Sequence, residues 1–170
     1  RVTIHPGAVL GAAGFGLAMD AGRWLNVPQL GGVRIGDDCE IGANTCIDRG
    51  ALEDTVLDAD VRVDNLVQIA HNVQIGSHTA IAGSTGIAGS AKIGRYCLLG
   101  GAVGVVGHLE ICDKVVVTGK SVVRNSITEP GEYSSGTPLT DNRTWRKNAA
   151  RFKQLDTLAR KLAAVSKEKE

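Results

Sequence analysis

Hydrophobic positions in this chain recur every six residues. From Leu57 onward an aliphatic residue opens eleven successive hexapeptides without an insertion: Leu57, Val63, Ile69, Ile75, Ile81, Ile87, Ile93, Leu99, Val105, Ile111 and Val117. The fifth place of each unit is mostly small or β-branched, from Val61, Val67 and Val73 through Thr79, Thr85 and Ala91 to Val115 and Ser121. Six is not a multiple of 3.6, so the pattern cannot hold one helical face. Short β-branched runs punctuated by Gly, Asn and Asp suit brief strands with tight corners instead. Such periodicity predicts a parallel β-helix in which each coil buries the face of the next.

The same beat appears upstream at Ile35, Ile41 and Ile47, and again at Ile4 and Leu10. Between them GLAMDAGRWLNVPQLGGVR, residues 16–34, has lost the period and reads as a loop thrown out of the solenoid. Two readings of it stand, a ligand-holding loop and a packing flap. After Val122 the beat fades into SITEPGEYSSGTPLTDN, a Pro-, Gly- and Ser-rich connector. Beyond it Asp141 or Asn142 can cap a helix whose apolar stripe runs through Trp145, Phe152, Leu155, Ala159 and Leu162. The expected order is a β-helix over 1–127 with its excursion at 16–34, a connector at 128–142, and a C-terminal α-helix over 143–170. That helix packs on its own solenoid or joins copies from other subunits. Its basic faces present either a docking surface for an acidic partner or ordinary solvated charge.

Composition narrows the functional classes. Aromatic residues are only 4% of the chain, as expected where narrow coils stack small aliphatics. The formal charge of +1 supplies no global field for nucleic acid. No apolar run is long enough to cross a bilayer and no signal peptide is visible, so the expectation is a cytoplasmic protein. Cys39, Cys46, Cys97 and Cys112 form no C-x-x-C pair and read as small hydrophobes in a reducing compartment.

A solenoid says little about chemistry, so candidate function rests on polar residues that interrupt it. His71 breaks IAHNVQ, His108 breaks VVGHLE, and Asp64 and Asn65 stand in VDNLVQ. If three hexads make one triangular coil, residues 18 apart share an edge on successive rungs. Gly89 then lies one rung from His71 and His108 about 10 Å away, at about 4.8 Å per rung. Both imidazoles can line one groove without sharing a proton. The constellation suits acyl transfer: a neutral His71 as proton acceptor, and the unobstructed Gly89 N–H as oxyanion donor. Asp64 is either the partner that orients His71 or a corner-turn residue.

At this point a resemblance becomes specific. FG at Phe15 and Gly16, VPQLGGVRIGDDCEIGANTCIDRGALEDT, DNLVQIAHNVQIG, IAGSAKIGRYCLLGG, GHLEICDK, VTG and ITEPGEYSSGTPL together resemble the UDP-3-O-(3-hydroxyacyl)glucosamine N-acyltransferases of bacterial lipid A biosynthesis. The likeness covers nearly all 170 residues. It implies a left-handed parallel β-helix, a homotrimer with active sites in clefts between subunits, and no permanently bound cofactor or metal. The 4'-phosphopantetheine of acyl carrier protein would deliver a 3-hydroxyacyl chain to the 2-amino group of UDP-3-O-acylglucosamine. By position it implies His71 as general base, Asp64 as its acidic partner, His108 as a second site histidine and Gly89 as oxyanion donor. It further implies substrate contacts at Asn65, Gln68, Asn72 and Phe15, and carrier-protein docking at Arg124, Arg143, Arg146 and Lys147. Family members also carry an N-terminal uridine-recognising domain of about a hundred residues. No stretch here matches it, so the expectation is a chain lacking that domain.

Two other classes compete with a transferase. A β-helical zinc enzyme needs three converging histidines, yet no histidine follows His108 and His78 is out of phase with His71. A non-catalytic scaffold or binding fragment is the stronger rival, and it predicts that His71 is dispensable.

Overall fold

A computed structural model describes residues 1–167; residues 168–170, the end of the predicted helix, lie outside the described residues. The chain divides into two compact units, Arg1–Gly136 and a second from Thr137 onward. The first is a left-handed parallel β-helix. Its strands, mostly two to three residues long, stack into three parallel sheets. One face carries Glu40–Ile41, Arg62–Val63, Ala80–Ile81, Leu98–Leu99 and Val115–Val117; a second carries Cys46–Asp48, Gln68–Ile69, Gly86–Ile87, Gly104–Val105 and Val122–Val123. The third carries Val33–Ile35, Thr55–Leu57, Gln74–Ile75, Lys92–Ile93 and Glu110–Ile111. Strand partners such as Gln68↔Gly86, Gln74↔Lys92 and Ala80↔Leu98 stand 18 residues apart, the three-hexad coil expected from the sequence.

Alternation explains which residues enter the core. From the Glu40–Ile41 strand onward the aliphatic residue that opens each hexad points inward, so Ile41, Ile47, Ile69, Ile75, Ile81, Ile87 and Leu99 are essentially inaccessible to solvent. The fifth-place residues fill the corners beneath them, including Val61, Val67, Val73, Ala91 and Val103. Buried threonines are satisfied rather than stranded. Thr79 Oγ1 donates to Gly94 O at 2.8 Å and accepts Cys97 N–H at 3.0 Å, and Thr45 makes the equivalent pair with Asp64 O and Val67 N–H. All four cysteines are free thiols, and burial pushes the thiols of Cys39 and Cys97 up from their usual range.

Each coil turns through left-handed backbone. Positive φ recurs every six residues at Asp60, Leu66, Asn72, His78, Ser84, Ser90, Tyr96, Ala102, His108, Lys114 and Lys120. Residues other than glycine pay for this conformation sterically, least so Asn and Asp. The compensation is cross-coil hydrogen bonding: Ser84 N–H donates to Asn65 O at 3.1 Å, Ser90 N–H to His71 O and His108 N–H to Gly89 O, each at 3.0 Å.

Three boundaries differ from the periodic reading. The excursion ends before 34, because Val33–Ile35 already pairs with Thr55–Leu57; within it Leu17–Asp20 and Arg23–Asn26 form an antiparallel hairpin. Its two-residue turn, Ala21 and Gly22, has positive φ at both positions, which suits strand twist. The solenoid also continues past 127 into the predicted connector. Ile127 bridges Ile111, and Gly131–Tyr133 pairs with Val115–Val117. Serine hydroxyls do there what the hexad does elsewhere: Ser126 Oγ accepts Glu110 N–H at 3.0 Å and Ser135 Oγ accepts Val122 N–H at 2.7 Å. The single predicted helix is two, α1 (Asn142–Phe152) and α2 (Leu155–Lys167). They are separated by a tightened turn in which Gln154 N–H donates to Arg151 O. Asp141 caps α1, its Oδ1 accepting Thr144 N–H at 3.1 Å.

Core and corner respond oppositely to substitution. Ile69→Ala should cost about 2–5 kcal/mol, because close-packed coils above and below cannot collapse into the cavity. Leu66→Asn, at an exposed left-handed corner, should stabilise by on the order of 1 kcal/mol. Denaturant midpoints of the two variants check both signs.

Candidate active site

Two breaks in the hexapeptide pattern converge on one edge of the solenoid. The first is the excursion that follows the Val9–Ala12 strand. The second is a short insertion around Arg49–Asp54, visible as a 22-residue spacing in the pairs Cys46↔Gln68 and Arg34↔Val56. Leu30 N–H donates to Ala51 O at 2.7 Å and Gly31 N–H to Gly50 O at 3.0 Å, stitching one break to the other. Both then meet the corner that joins the second and third faces, where His71 and Asn72 stand. Asn72 locks this junction. Its Oδ1 accepts Ala51 N–H at 3.0 Å, its Nδ2 donates to Glu53 O at 2.9 Å, and its own N–H donates to Thr55 Oγ1 at 2.9 Å.

His71 is half-buried between two glycines. A Cβ on Gly14 would stand 2.9 Å from His71 Cβ and 3.1 Å from Cδ2; one on Gly89 would stand 2.7 Å from both Cε1 and Nε2. Only glycine leaves the ring this slot. The tautomer follows from its neighbour. His71 Nδ1 lies 2.9 Å from Asn72 Oδ1. The Asn72 amide cannot be reversed, because Ala51 N–H can only donate and the Glu53 carbonyl can only accept. Oδ1 is therefore an acceptor toward the imidazole too. The neutral ring carries its proton on Nδ1, and its lone pair sits on Nε2, beside Gly89.

The other expected residues divide. Gly89 and His108 stand on the same edge as His71, one and two coils further on, with His108 exposed. Among the described residues no hydrogen bond is donated by Gly89 N–H. Gln68 stands on the face beside this edge, its Nε2 donating to Asp48 Oδ2 at 3.0 Å. Asp64 and Asn65 lie on a different edge, where the first face turns into the second. Within one chain Asp64 does not serve His71: its Oδ1 accepts Asn65 N–H at 2.7 Å and its Oδ2 accepts Gly83 N–H at 2.9 Å. Asn65 is likewise a corner brace, with Oδ1 accepting Ala43 N–H at 2.7 Å. Phe15, 86% exposed, sits between Gly14 and Gly16 at the mouth of the excursion. Arg124 is exposed on the solenoid just past Val122–Val123. Arg143, Arg146 and Lys147 are exposed on α1 of the second unit.

Two groups near His71 escape the periodic reading. Burial holds the Asp48 carboxyl above the usual carboxylate range, while the Gln68 hydrogen bond pulls the other way. Gln29 donates from Nε2 to Val27 O at 3.2 Å and Pro28 O at 3.4 Å, leaving Oε1 buried without a partner. A point 3.1 Å from that oxygen is also 3.1 Å from His71 Cδ2, so the two atoms cannot be further apart than twice that distance. The signal that finds both residues is the broken period itself, since each stands in or beside an insertion.

From this corner a shallow groove of about 470 Å³ runs along the second face, lined by Ala70, Gly86, Ala88, Gly104, Val106 and Val122 among others. Its floor is apolar and its side chains are small. A bare imidazole nitrogen, a glycine N–H that donates no hydrogen bond among the described residues and an adjoining apolar track stand together on this hexapeptide-repeat solenoid.

The likeness to known proteins is closer than the fold alone. The chain is 87% identical over 170 residues to the UDP-3-O-acylglucosamine N-acyltransferase of Xanthomonas axonopodis pv. citri, covering all of this chain and 50% of the relative. It is 81% identical over 166 residues to the protein of that name from Xylella fastidiosa, covering 98% of this chain and 49% of the relative. The chain belongs to the UDP-3-O-acylglucosamine N-acyltransferase family and spans about half the length of the curated relatives it matches. No protein-family model matches it. Among solved structures, LpxA from Acinetobacter baumannii superposes with a TM-score of 0.70 at 22% identity, covering 81% of this chain and 51% of that one. LpxA from Bacteroides fragilis gives a TM-score of 0.68 at 24% identity, covering 80% and 51%. These two likenesses concern the fold.

The slot between glycines makes a direct prediction. Gly89→Ala places a methyl group against Cε1 and Nε2 of His71, so the imidazole must leave its position. Acyl transfer should fall by on the order of 100-fold or more, with an unchanged far-ultraviolet spectrum and melting midpoint within a few degrees of the parent.

Proposed function

We propose that this chain supplies the catalytic β-helix of an N-acyltransferase, moving a 3-hydroxyacyl group from acyl carrier protein to the 2-amino group of UDP-3-O-acylglucosamine in lipid A biosynthesis. The observation that carries the reading is the His71 ring, turned by Asn72 so that its neutral form keeps its lone pair on Nε2, beside Gly89, whose N–H donates no hydrogen bond among the described residues. The names and 81–87% identity of the relatives support the choice of substrates.

The chemistry proceeds in two steps. The substrate amine attacks the thioester carbonyl, and His71 Nε2 takes the proton that the nitrogen sheds. The carbonyl oxygen becomes an oxyanion, which Gly89 N–H stabilises as charge develops. Collapse of the tetrahedral intermediate expels the pantetheine sulfur, which recovers the proton from His71. Positioned bases of this kind contribute about 10²–10⁴ in rate. The acyl chain lies along the apolar groove of the second face, where each buried methylene is worth about 0.8 kcal/mol. Asn72 acts on His71 rather than on the sugar or the pantetheine arm, and Gln68 and Phe15 border the substrate.

Assembly as a homotrimer gives Asp64 and Asn65 a second setting. Lying on another edge, Asp64 can meet a catalytic histidine only on a neighbouring copy. Arg124, Arg143, Arg146 and Lys147 are the exposed cations offered to the acidic carrier protein, and His108 borders the path of the pantetheine arm.

His71→Ala tests the reading. It should lower acyl transfer from carrier protein to the amino sugar at least 100-fold while the protein stays folded. A variant that turns over like the parent would leave only a scaffold.

A further inference from the structure

Asp48 differs from the carboxylates that brace the corners of this solenoid. Asp64, Asp54 and Asp113 each cap a backbone N–H of another coil, those of Gly83, Gly32 and Arg95 respectively, and Asp60 is paired with Arg62 and His78. Asp48 caps nothing. Its Oδ2 takes one neutral donor, Gln68 Nε2, and its Oδ1 has no hydrogen bond among the described residues. That oxygen is not sealed off: it is absent from the buried unpartnered atoms of the fold. Asp48 follows Ile47, whose partner on the next coil is Ile69, so Asp48 stands beside Ala70, the residue that precedes His71. It thus faces outward beside Ala70, which lines the apolar groove and leads directly into His71. A half-buried carboxylate with one neutral donor is incompletely compensated, and a cationic or N–H-rich ligand group would complete it.

We propose that Asp48 Oδ1 binds the acceptor's amino group and thereby selects an amine over a hydroxyl as nucleophile. This inference rests on the transferase reading above. An amine presents two N–H groups and a lone pair. The lone pair attacks the thioester carbon, one N–H yields its proton to His71 Nε2, and the other donates to Asp48 without being transferred. A hydroxyl has only the proton that His71 takes. Its remaining lone pair would face a carboxylate, leaving that charge unsatisfied, and sites built to receive a substrate N–H reject analogues that lack it. Gln68 braces the carboxylate from the far side and fixes which oxygen is offered. Discrimination here comes from the pairing of one half-buried anion, independent of the shape of the sugar.

The test compares Asp48→Ala and Asp48→Asn with the parent chain. Affinities are measured by calorimetry for UDP-3-O-(3-hydroxyacyl)glucosamine and for its counterpart with hydroxyl in place of the 2-amino group. Asp48→Ala should weaken the amine ligand roughly 10- to 100-fold and leave the hydroxyl ligand unchanged or tighter. Asp48→Asn, which keeps an acceptor but loses the charge, should fall between. Equal weakening of both ligands, or of neither, overturns the proposal. Gln68→Leu supplies a second route should Asp48→Ala unfold: it frees the carboxylate to turn, and preference for the amine should drop several-fold with folding intact. Failure of the wider reading looks different, since the parent would then transfer no acyl group and His71→Ala would be silent.

Discussion

Every coil of this solenoid must lie in register on the one before it. Residues 18 apart stack directly, inward side chains touch only their neighbours above and below, and each left-handed corner is held by an N–H donated to the adjacent coil. An extra residue inside a two-residue strand would turn its core side chain outward and unpair the coil on both sides. Insertions are therefore tolerated only at corners. Here both large ones leave from the same edge, so the irregular backbone that a binding site requires collects beside a rigid, repeating wall. The same stacking supplies precision: the columns holding His71 and Gly89 are spaced by backbone hydrogen bonds rather than by side-chain packing.

This explains what could be read from the chain before any coordinates. Ile69, Ile75, Ile81 and their equivalents announce the coil because period six is incompatible with other architectures, and the 18-residue offset then places Gly89 beside His71. The last coil is hidden because Ser126 and Ser135 replace the hexad's backbone partners with hydroxyls, leaving no aliphatic beat to detect. The break between α1 and α2 is hidden because the apolar stripe is continuous through Lys153 and Gln154. Asp64 illustrates a further limit. Sequence proximity to His71 suggests a partnership, but six residues suffice to cross a face, so neighbours along the chain stand on separate edges. Asn72, adjacent in sequence, makes the contact, and nothing in residue type alone distinguishes it from the other corner asparagines. What sets it apart is the insertion opposite, which aims Ala51 N–H and Glu53 O at its two amide ends.

A neutral orienting group has chemical consequences. A carboxylate on Nδ1 would strengthen the imidazole as a base by favouring the imidazolium, yet it would also hold the proton once taken. In the proposed thioester reaction that proton must return to a departing sulfur. An amide fixes the tautomer without adding a charge beside the ring, which suits the base of the proposed reaction, where one proton is accepted and released in each turnover. The cost is met structurally, since Asn72 occupies left-handed backbone, a conformation it tolerates better than most residues.

Carboxylates at the edges of a β-helix are common enough that their presence says little; the informative variable is what satisfies them. Asp64 receives two backbone N–H groups; Asp113 receives the Arg95 backbone N–H and then its guanidinium, which together hold its carboxyl below the usual range. Such groups are finished structures, and removing one would leave a corner uncapped. Asp48 receives a single amide N–H, is half-buried, and has its carboxyl raised rather than lowered. A fold that satisfies Asp64 and Asp113 so fully leaves Asp48 incomplete, half-buried beside Ala70 and next to the insertion that begins at Arg49. An anion kept underpaired beside a proton acceptor serves no purpose in stacking coils, which Asp64 and Asp113 serve better. It serves a ligand that brings its own N–H.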